Sequence, residues 1–395
     1  MGGLNVEYLT IPNYINNFKV CLMSIADYEF CFVGAGVSTA IHLLTHRDFF
    51  KNKRVLILEA GPDFGSEKTF CSFSAHEIPT QKELLFRSFE ASGKDFYKSY
   101  EVNTPYRCLE ARRLFFELDQ FIKSSPFFKI EFGQTVDRLR DCGGLFEVLG
   151  RTVEFVFDAR PPAIRGPIWY QHFMGWELDF KRPHQINTPI LMEIDPSFQE
   201  GLKFFYLIPK SQKKILVELT YFSEQVLDDL EYERELASFL KAKKWAEYQK
   251  VFWERGCIPL VTINPPIFLP KNYRALGIRA GHLRASTGYS VWRSFLCSRE
   301  RGPLLENTFD LRWCVIQWLD NLFLKVLQLE PRYAAELFTL FFRRLGGEAI
   351  SSFLSESPSW RSLLSVIKTM PKLRFVAAVF RSSKFINRQK WRKDF

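Results

Sequence analysis

A strand that runs directly into Gly34-Ala35-Gly36-Val37-Ser38-Thr39 and then into a helix leaves few folds open to this chain. The apolar run Tyr28 to Val33 predicts the strand, Ala40 to about Phe49 the helix, and Arg54 to Glu59 a second strand, a β-turn-α-β unit. In such a unit the first glycine permits the tight turn and the second lets backbone approach a pyrophosphate. The helix N-terminus adds N–H groups and positive partial charge. Glu59, closing the second strand, is placed to accept hydrogen bonds from a ribose 2′-OH, which favours an adenosine without a 2′-phosphate, as in FAD or NAD. Thr39 stands where a third glycine would allow the closest packing of helix on strand.

A second glycine-rich turn, Gly277 to Tyr289, runs toward a helix far downstream. It implies a nucleotide domain interrupted by an insertion and completed late, a topology more typical of FAD proteins than of NAD dehydrogenases. Between the two turns, strand-like runs recur without alternating helices: Phe128 to Phe132, Leu145 to Leu149, Thr152 to Phe157, Ile190 to Ile194, Lys203 to Ile208 and Lys214 to Thr220. That argues for an antiparallel sheet set into an α/β protein. Helices are predicted near Lys82 to Phe89, within Tyr106 to Ser125, and from a Ser223 cap to about Lys243; Ser92 to Thr104 is predicted as loop, and Trp245 to Arg255 is ambiguous. Past Gly288 the chain is predicted mostly helical. Leu311, Val315, Trp318, Leu322 and Val326 share one face, Pro331 can open a further helix and Gly346-Gly347 can close it.

Composition narrows the partners. With 40 Phe among 395 residues and 16% aromatic residues, the chain suits a large apolar cavity as well as a Phe-rich core. No uncharged apolar run approaches the roughly 18 residues of a membrane-spanning helix. No basic residue precedes Lys19, so the start lacks the charged region of a secretory signal and export is not expected. Eight scattered cysteines and six isolated histidines form no metal-binding spacing; free thiols and no metal are expected. From Pro371 to Phe395 eight basic residues face Asp394 alone, so seven of the ten net positive charges fall in the last 25 residues, interleaved with Phe375, Phe380, Phe385 and Trp391. A stretch of this kind suits an anionic membrane surface or a solvated tail; nucleic-acid binding would rest on it alone and is not expected.

Beyond the dinucleotide turn, a series of short motifs resembles the bacterial lycopene β-cyclases, flavoproteins that close carotenoid end rings. These are Lys68-Thr69-Phe70, Tyr106-Arg107-Cys108-Leu109, Asp158-Ala159-Arg160, Gln171-His172-Phe173-Met174-Gly175-Trp176-Glu177, Pro189 to Glu193, Phe205-Tyr206-Leu207-Ile208-Pro209, Leu216 to Thr220, Glu254 to Leu260, and Arg279 to Tyr289. Thr39, Ala280 and Leu219 depart from the family pattern, and Leu219 stands where the family often has a second acid.

The resemblance implies a non-redox, FAD-dependent cyclisation of lycopene or a related acyclic carotenoid, an intramolecular lyase or isomerase reaction. The flavin would be reduced, with NAD(P)H as reductant. Protonating an alkene requires a carboxylic acid kept neutral in a dry site. Glu218, the one charge in Ile215 to Thr220, fits that need and matches the family's catalytic glutamate; Glu193 is a weaker supporting candidate. Gly34, Gly36, Thr39, Glu59, Arg107, Asp158, Gly281, Thr287, Gly288 and Tyr289 are expected at the cofactor, and Trp176, Phe205 and Tyr206 at the substrate. The alternatives are a redox flavoenzyme of the same fold, such as a prenyl reductase or monooxygenase, and a non-catalytic carotenoid-binding relative.

The expected architecture is α/β. A discontinuous Rossmann-like FAD domain spans 26–75, 100–165 and 270–310, with an inserted antiparallel substrate sheet over 166–269 and a helical region over 311–380. Residues 1–25 are expected to be a poorly ordered leader and 381–395 a basic tail that docks on the membrane; the protein would be cytoplasmic, peripheral to the inner membrane surface.

Overall fold

The computed structural model describes residues 26–65, 68–79, 83–164, 168–263, 269–306 and 310–381. The leader 1–25 and the tail beyond Arg381 lie outside the described residues. The chain begins β1 (Tyr28–Val33), α1 (Val37–Thr45), α2 (Arg47–Phe50), β2 (Val55–Leu58), β3 (Thr69–Phe73), β4 (Leu84–Gly93), β5 (Phe96–Glu110) and α3 (Ala111–Lys123). There follow β6 (Phe128–Glu131), β7 (Arg140–Asp141), β8 (Phe146–Val148) and β9 (Arg151–Asp158). The second half runs β10 (Trp169–Phe180), β11 (Ile190–Asp195), β12 (Leu202–Pro209), β13 (Lys214–Ser223), α4 (Asp229–Ala242), β14 (Tyr248–Leu260) and β15 (Tyr273–Ala275). It ends in helices α5 (Val291–Arg301), α6 (Leu311–Leu329), α7 (Ala334–Arg344), α8 (Gly347–Leu354), α9 (Trp360–Thr369) and α10 (Lys372–Arg381).

Two sheets organise these elements. In the first, β6, β2, β1 and β9 are parallel neighbours, β15 joins β9 in parallel, and the β7–β8 hairpin continues the β9 edge antiparallel. Parallel strands covered on both faces carry continuous apolar runs. In β1, Phe30 and Phe32 face α1, α3 and α5, while Cys31 and Val33 face Leu139, Phe146, Val148 and Tyr273. Phe32 stacks on Phe157 of β9 at 4.6 Å between ring centroids, welding the two central strands on the helix side.

The second sheet has eight strands in the order β14-β10-β13-β12-β11-β4-β5-β3, antiparallel except for β11 beside β4. It too is buried on both faces. Leu216 and Phe222 of β13 point toward the C-terminal helices, whereas Val217, Leu219 and Tyr221 meet Tyr232, Leu236 and Phe239 of α4. Helix α4 starts at Asp228, whose carboxylate caps Glu231 N–H while Glu231 returns the bond, a capping box. Ser223, expected as that cap, is instead bonded to His172 and to the Gln225 carbonyl.

The expected sheet boundaries need correction. The second sheet does not start near residue 166: β3, β4 and β5 belong to it, so residues 69–73 and 100–110 lie there rather than in the nucleotide layer. Of the stretch Lys82 to Phe89, expected as a helix, Leu84 to Phe89 lies in β4 and Lys82 lies outside the described residues, while the expected loop Ser92 to Thr104 is the turn and strand of its hairpin with β5. Cross-strand pairing overrides local preference here, since Phe89 and Ala91 are fully buried only as strand residues opposite β5. In α6, the expected face is only partly the buried one: Leu311 and Trp318 are exposed while Ile316, Asp320, Leu324 and Leu327 are buried. Replacing Phe32 with Ala should cost about 3–5 kcal/mol, measured as a lower denaturation midpoint, because the stacked ring beneath α1 leaves a cavity that Phe157 cannot fill.

Candidate active site

At the C-terminal end of β1 the chain must turn at once into α1. Gly34 has φ +99°, a region that L side chains avoid, and a Cβ there would sit 3.4 Å from Ala159. The Thr39 hydroxyl donates to the Gly34 carbonyl at 2.7 Å, closing the turn from the helix side. Glu59 then pins the turn: Oε2 accepts Ala35 N–H at 2.6 Å and Oε1 accepts Gly61 N–H at 2.8 Å. Each carboxylate oxygen has a second lone pair, which leaves capacity for ribose hydroxyls. Gly36 is extended, and a Cβ there would meet open space; no side chain caps α1. An open backbone cradle at an uncapped helix N-terminus fits a dinucleotide pyrophosphate.

The second glycine-rich turn docks on the first. Gly277, at φ +58°, lies against Ser38, and Leu276 N–H bonds the Asp158 carbonyl at 2.8 Å. Ser286 to Trp292 then form one end of a cavity of about 760 Å³. Its floor is the second sheet, including Phe173, Phe204, Tyr206, Glu218 and Phe222, and its roof is built from α6 to α10.

Two acids line this cavity, Glu218 and Asp320. Asp320 is held by the Arg284 guanidinium at 2.8 and 3.1 Å. Glu218 has no cation partner among the described residues; its Oε1 accepts the Thr220 hydroxyl at 2.6 Å. Burial and the neighbouring Glu254 push its pKa up to about 8, so the carboxyl is protonated at neutral pH. The Tyr106 hydroxyl lies 2.7 Å from that of Tyr206 and 3.3 Å from that of Tyr289, so this polar cluster satisfies itself within an apolar wall.

Glu254 and Glu177 lie on the same face of the sheet. Glu177 is tied to Lys210 at 2.7 Å, and Lys210 also reaches Glu110 at 3.0 Å. Glu254, 2% exposed, accepts Thr69 N–H at 2.8 Å, and burial pushes its pKa up to about 7. The sequence offered no sign of this, because Glu254 stands next to Arg255 on an edge strand of mixed polar and apolar residues, with nothing local to mark it as buried.

Comparison with known proteins agrees with this geometry. The family described as Lycopene cyclase protein matches residues 148–383, more than half of the chain. The chain belongs to the lycopene cyclase family. Family relatives named lycopene β-cyclase are 25% identical in Pantoea ananas, over 67% of this chain and 71% of that one, and 26% identical in a Paracoccus species, over 67% and 70%. Among solved structures, a geranylgeranyl bacteriochlorophyll reductase-like protein from Thermoplasma acidophilum shares the fold at 11% identity and TM-score 0.57, covering 90% of this chain and 98% of that one. The p-nitrophenol 4-monooxygenase PnpA from Pseudomonas putida does so at 11% identity and TM-score 0.53, covering 90% and 97%. Halogenase PltM, solved with phloroglucinol and FAD, does so at 12% identity and TM-score 0.51, covering 89% and 86%.

Within this cyclase-family fold the expected site residues separate into two groups. Gly34, Gly36, Thr39 and Glu59 form the first turn, and Thr287, Gly288, Tyr289, Tyr206 and Glu218 line the cavity. Trp176, Phe205, Glu193 and Arg107 lie elsewhere, whereas Asp158, on β9 level with Val33, and Gly281, in the second glycine-rich turn, stay beside the two turns. Trp176 and Phe205 point to the opposite face, where Lys250 sits over the indole and Phe239 stacks on Phe205, because strand side chains alternate and Tyr206 takes the cavity side. Glu193 is turned away as well, paired with Lys243 at 2.8 Å. Arg107 is held by Glu83 at 2.7 Å and donates to the Ser74 carbonyl. Asp158, fully buried, accepts from Arg160 and Tyr273, and the Gly281 carbonyl accepts from Trp313 and Gln317.

A pH test follows from Glu218. Its folded-state pKa lies above the ordinary 4.5, so the stability it contributes is complete below about pH 4.5 and is lost as pH rises to about 8. Glu218→Gln removes that dependence. The variant's melting temperature should therefore fall less than the parent's between about pH 5 and 8, read by thermal unfolding across that window.

Proposed function

We propose that this protein is a lycopene β-cyclase that starts ring closure by proton donation from Glu218. The observation that carries this is a buried carboxyl, with no cation partner among the described residues, set in the wall of a large apolar cavity, where burial pushes its pKa up to about 8. Glu218 gives its proton to the terminal double bond of the polyene, and the tertiary cation is attacked by the neighbouring internal double bond. Loss of a ring proton back to the carboxylate yields the β-ring, with no net redox change. Water would quench the cation, so the Phe173, Phe204 and Phe222 walls serve by excluding it and by presenting π faces.

The Gly34–Gly36 turn, Glu59 and the Thr287–Tyr289 turn are the groups that would hold FAD, the first two at the adenosine diphosphate and the last at the ring system. When bound in its reduced form, with NAD(P)H as reductant, the flavin supplies negative charge to a cationic site.

Lycopene resides in a bilayer, and the cavity's roof suits docking there. Ile367, Lys372, Phe375 and Val376 line the cavity, and next to them Leu373 is 86% and Phe380 79% exposed, with Lys368, Lys372 and Arg374 alongside. Among the described residues no helix is long and apolar enough to cross a membrane. A cytoplasmic protein resting peripherally on the inner membrane surface, with the basic segment beyond Arg381 adding charge, is the corresponding localisation.

A redox flavoenzyme acting on a prenyl chain is the second reading, favoured by the fold shared with the reductase-like protein and the monooxygenase. The two differ in that a cyclase consumes no reduced nicotinamide in proportion to product.

Pigment analysis of lycopene-accumulating cells is the direct test. The parent should convert lycopene to a cyclised product, and Glu218→Gln should lower conversion by about 100-fold or more. Unchanged lycopene beside folded, flavin-bound parent would sink the cyclase reading. Removing residues after Ala377 should weaken cosedimentation with anionic liposomes more than it lowers the melting temperature; unchanged cosedimentation would refute docking by this segment.

A further inference from the structure

We propose that Glu254 is the second carboxyl of the acid: it stands across Gly175 from Glu218 and holds Glu218 in its protonated, proton-donating form. The inference rests on the assignment of Glu218 above and extends it to a positioning residue on another strand.

The sheet register makes the pair. On β10, Gly175 is opposite Glu218 of β13 on one side and opposite Glu254 of β14 on the other. Directly opposed residues of antiparallel strands project to the same face, so the two glutamates flank a position without a side chain. Glu254 occupies that vacancy in part: a Cβ on Gly175 would lie 3.2 Å from its Cγ and 3.4 Å from its Oε1. Oε2 takes the Thr69 N–H, whereas Oε1 is buried and has no hydrogen-bond partner. A buried carboxylate oxygen without a donor is costly. A proton held on Glu218 offers the missing donor across the gap that Gly175 leaves.

The charged and titratable groups around the pair do not substitute for that proton. On β12, Tyr206 is opposite Glu218, and Tyr289 faces it from the second glycine-rich turn. Lys68 and Thr69 approach Glu254 from β3. Lys210 is bonded to Glu177 and Glu110, which leaves both members of the pair without an ion-pair partner among the described residues. Burial raises both carboxyls, Glu254 to about 7 and Glu218 to about 8, and the charge of Glu254 contributes to the second. Two carboxyls that flank one side-chain-free position resist ionising together, so loss of the first proton from Glu254 strengthens the hold of Glu218 on its own. During a turnover the O–H bond of Glu218 breaks as the C–H bond forms on the alkene. The later ring C–H proton returns to the same carboxylate, and no electron leaves.

The test reads Glu218 directly, apart from turnover. The carboxyl C=O infrared band that disappears in Glu218→Gln is followed against pH in the full-length protein, in Glu254→Gln and in Glu254→Asp. Its midpoint should move down by about one pH unit in Glu254→Gln and return toward the parent value in Glu254→Asp. The alkaline limb of ring formation should move with it while KM holds. Should Glu254→Gln not fold, Gly175→Ala displaces the Glu254 side chain and should move the midpoint the same way. An unmoved midpoint in the folded variant overturns the proposal. A moved midpoint in a parent that closes no ring supports the pair and overturns the cyclase reading.

Discussion

Keeping a carboxylic acid neutral at physiological pH requires a place where ionisation is not repaid by solvent or by a cation. The rest of this structure is arranged around that requirement. Glu218 sits in mid-strand on a sheet whose other face is already closed by α4, so water cannot reach it from behind. In front, α6 to α10 roof a cavity of about 760 Å³, and the tyrosines beside Glu218 are bonded to one another. Two of the basic groups nearby are taken: Arg284 by Asp320, Lys210 by Glu177 and Glu110.

The nucleotide layer is joined to this chamber through its turns. Gly277 against Ser38 brings the late glycine-rich turn onto the early one, and the segment that follows forms one end of the cavity. The Thr287–Tyr289 backbone of that segment lines the chamber. The same close contact explains why the nucleotide layer can be interrupted by eight strands' worth of a second sheet and still close, since β15 returns to β9 in parallel beside the first strands.

How much of this was legible in the sequence varied with the kind of signal. The turn at Gly34 was readable because local geometry allows few residues at φ +99°, and Glu218 was readable because a single charge interrupts an apolar strand. Strand β4 was misread as a helix, since Leu and Phe spacing alone does not separate the two and only pairing with β5 decides it. Trp176 and Phe205, expected at the substrate, lie on the face away from the cavity for a related reason. When both faces of a sheet are buried, apolar residues run without alternation, and nothing local marks which face meets the cavity. Arg107 and Asp158 match family motifs, but that their side chains are engaged by Glu83 and by Arg160 with Tyr273 is visible only in the tertiary structure.

Sequence by itself determined the elements whose chemistry is local: the two glycine-rich turns, the acidic end of β2, the lone glutamate of β13, and the basic aromatic C-terminus. Tertiary structure alone decided which side chains share a space. Glu254 lies 36 positions beyond Glu218 in the chain and becomes its neighbour only because β10 runs between their strands and carries glycine at the crossing point. That proximity is a matter of register, and register is set by the sum of contacts across eight strands, which no short stretch of sequence contains.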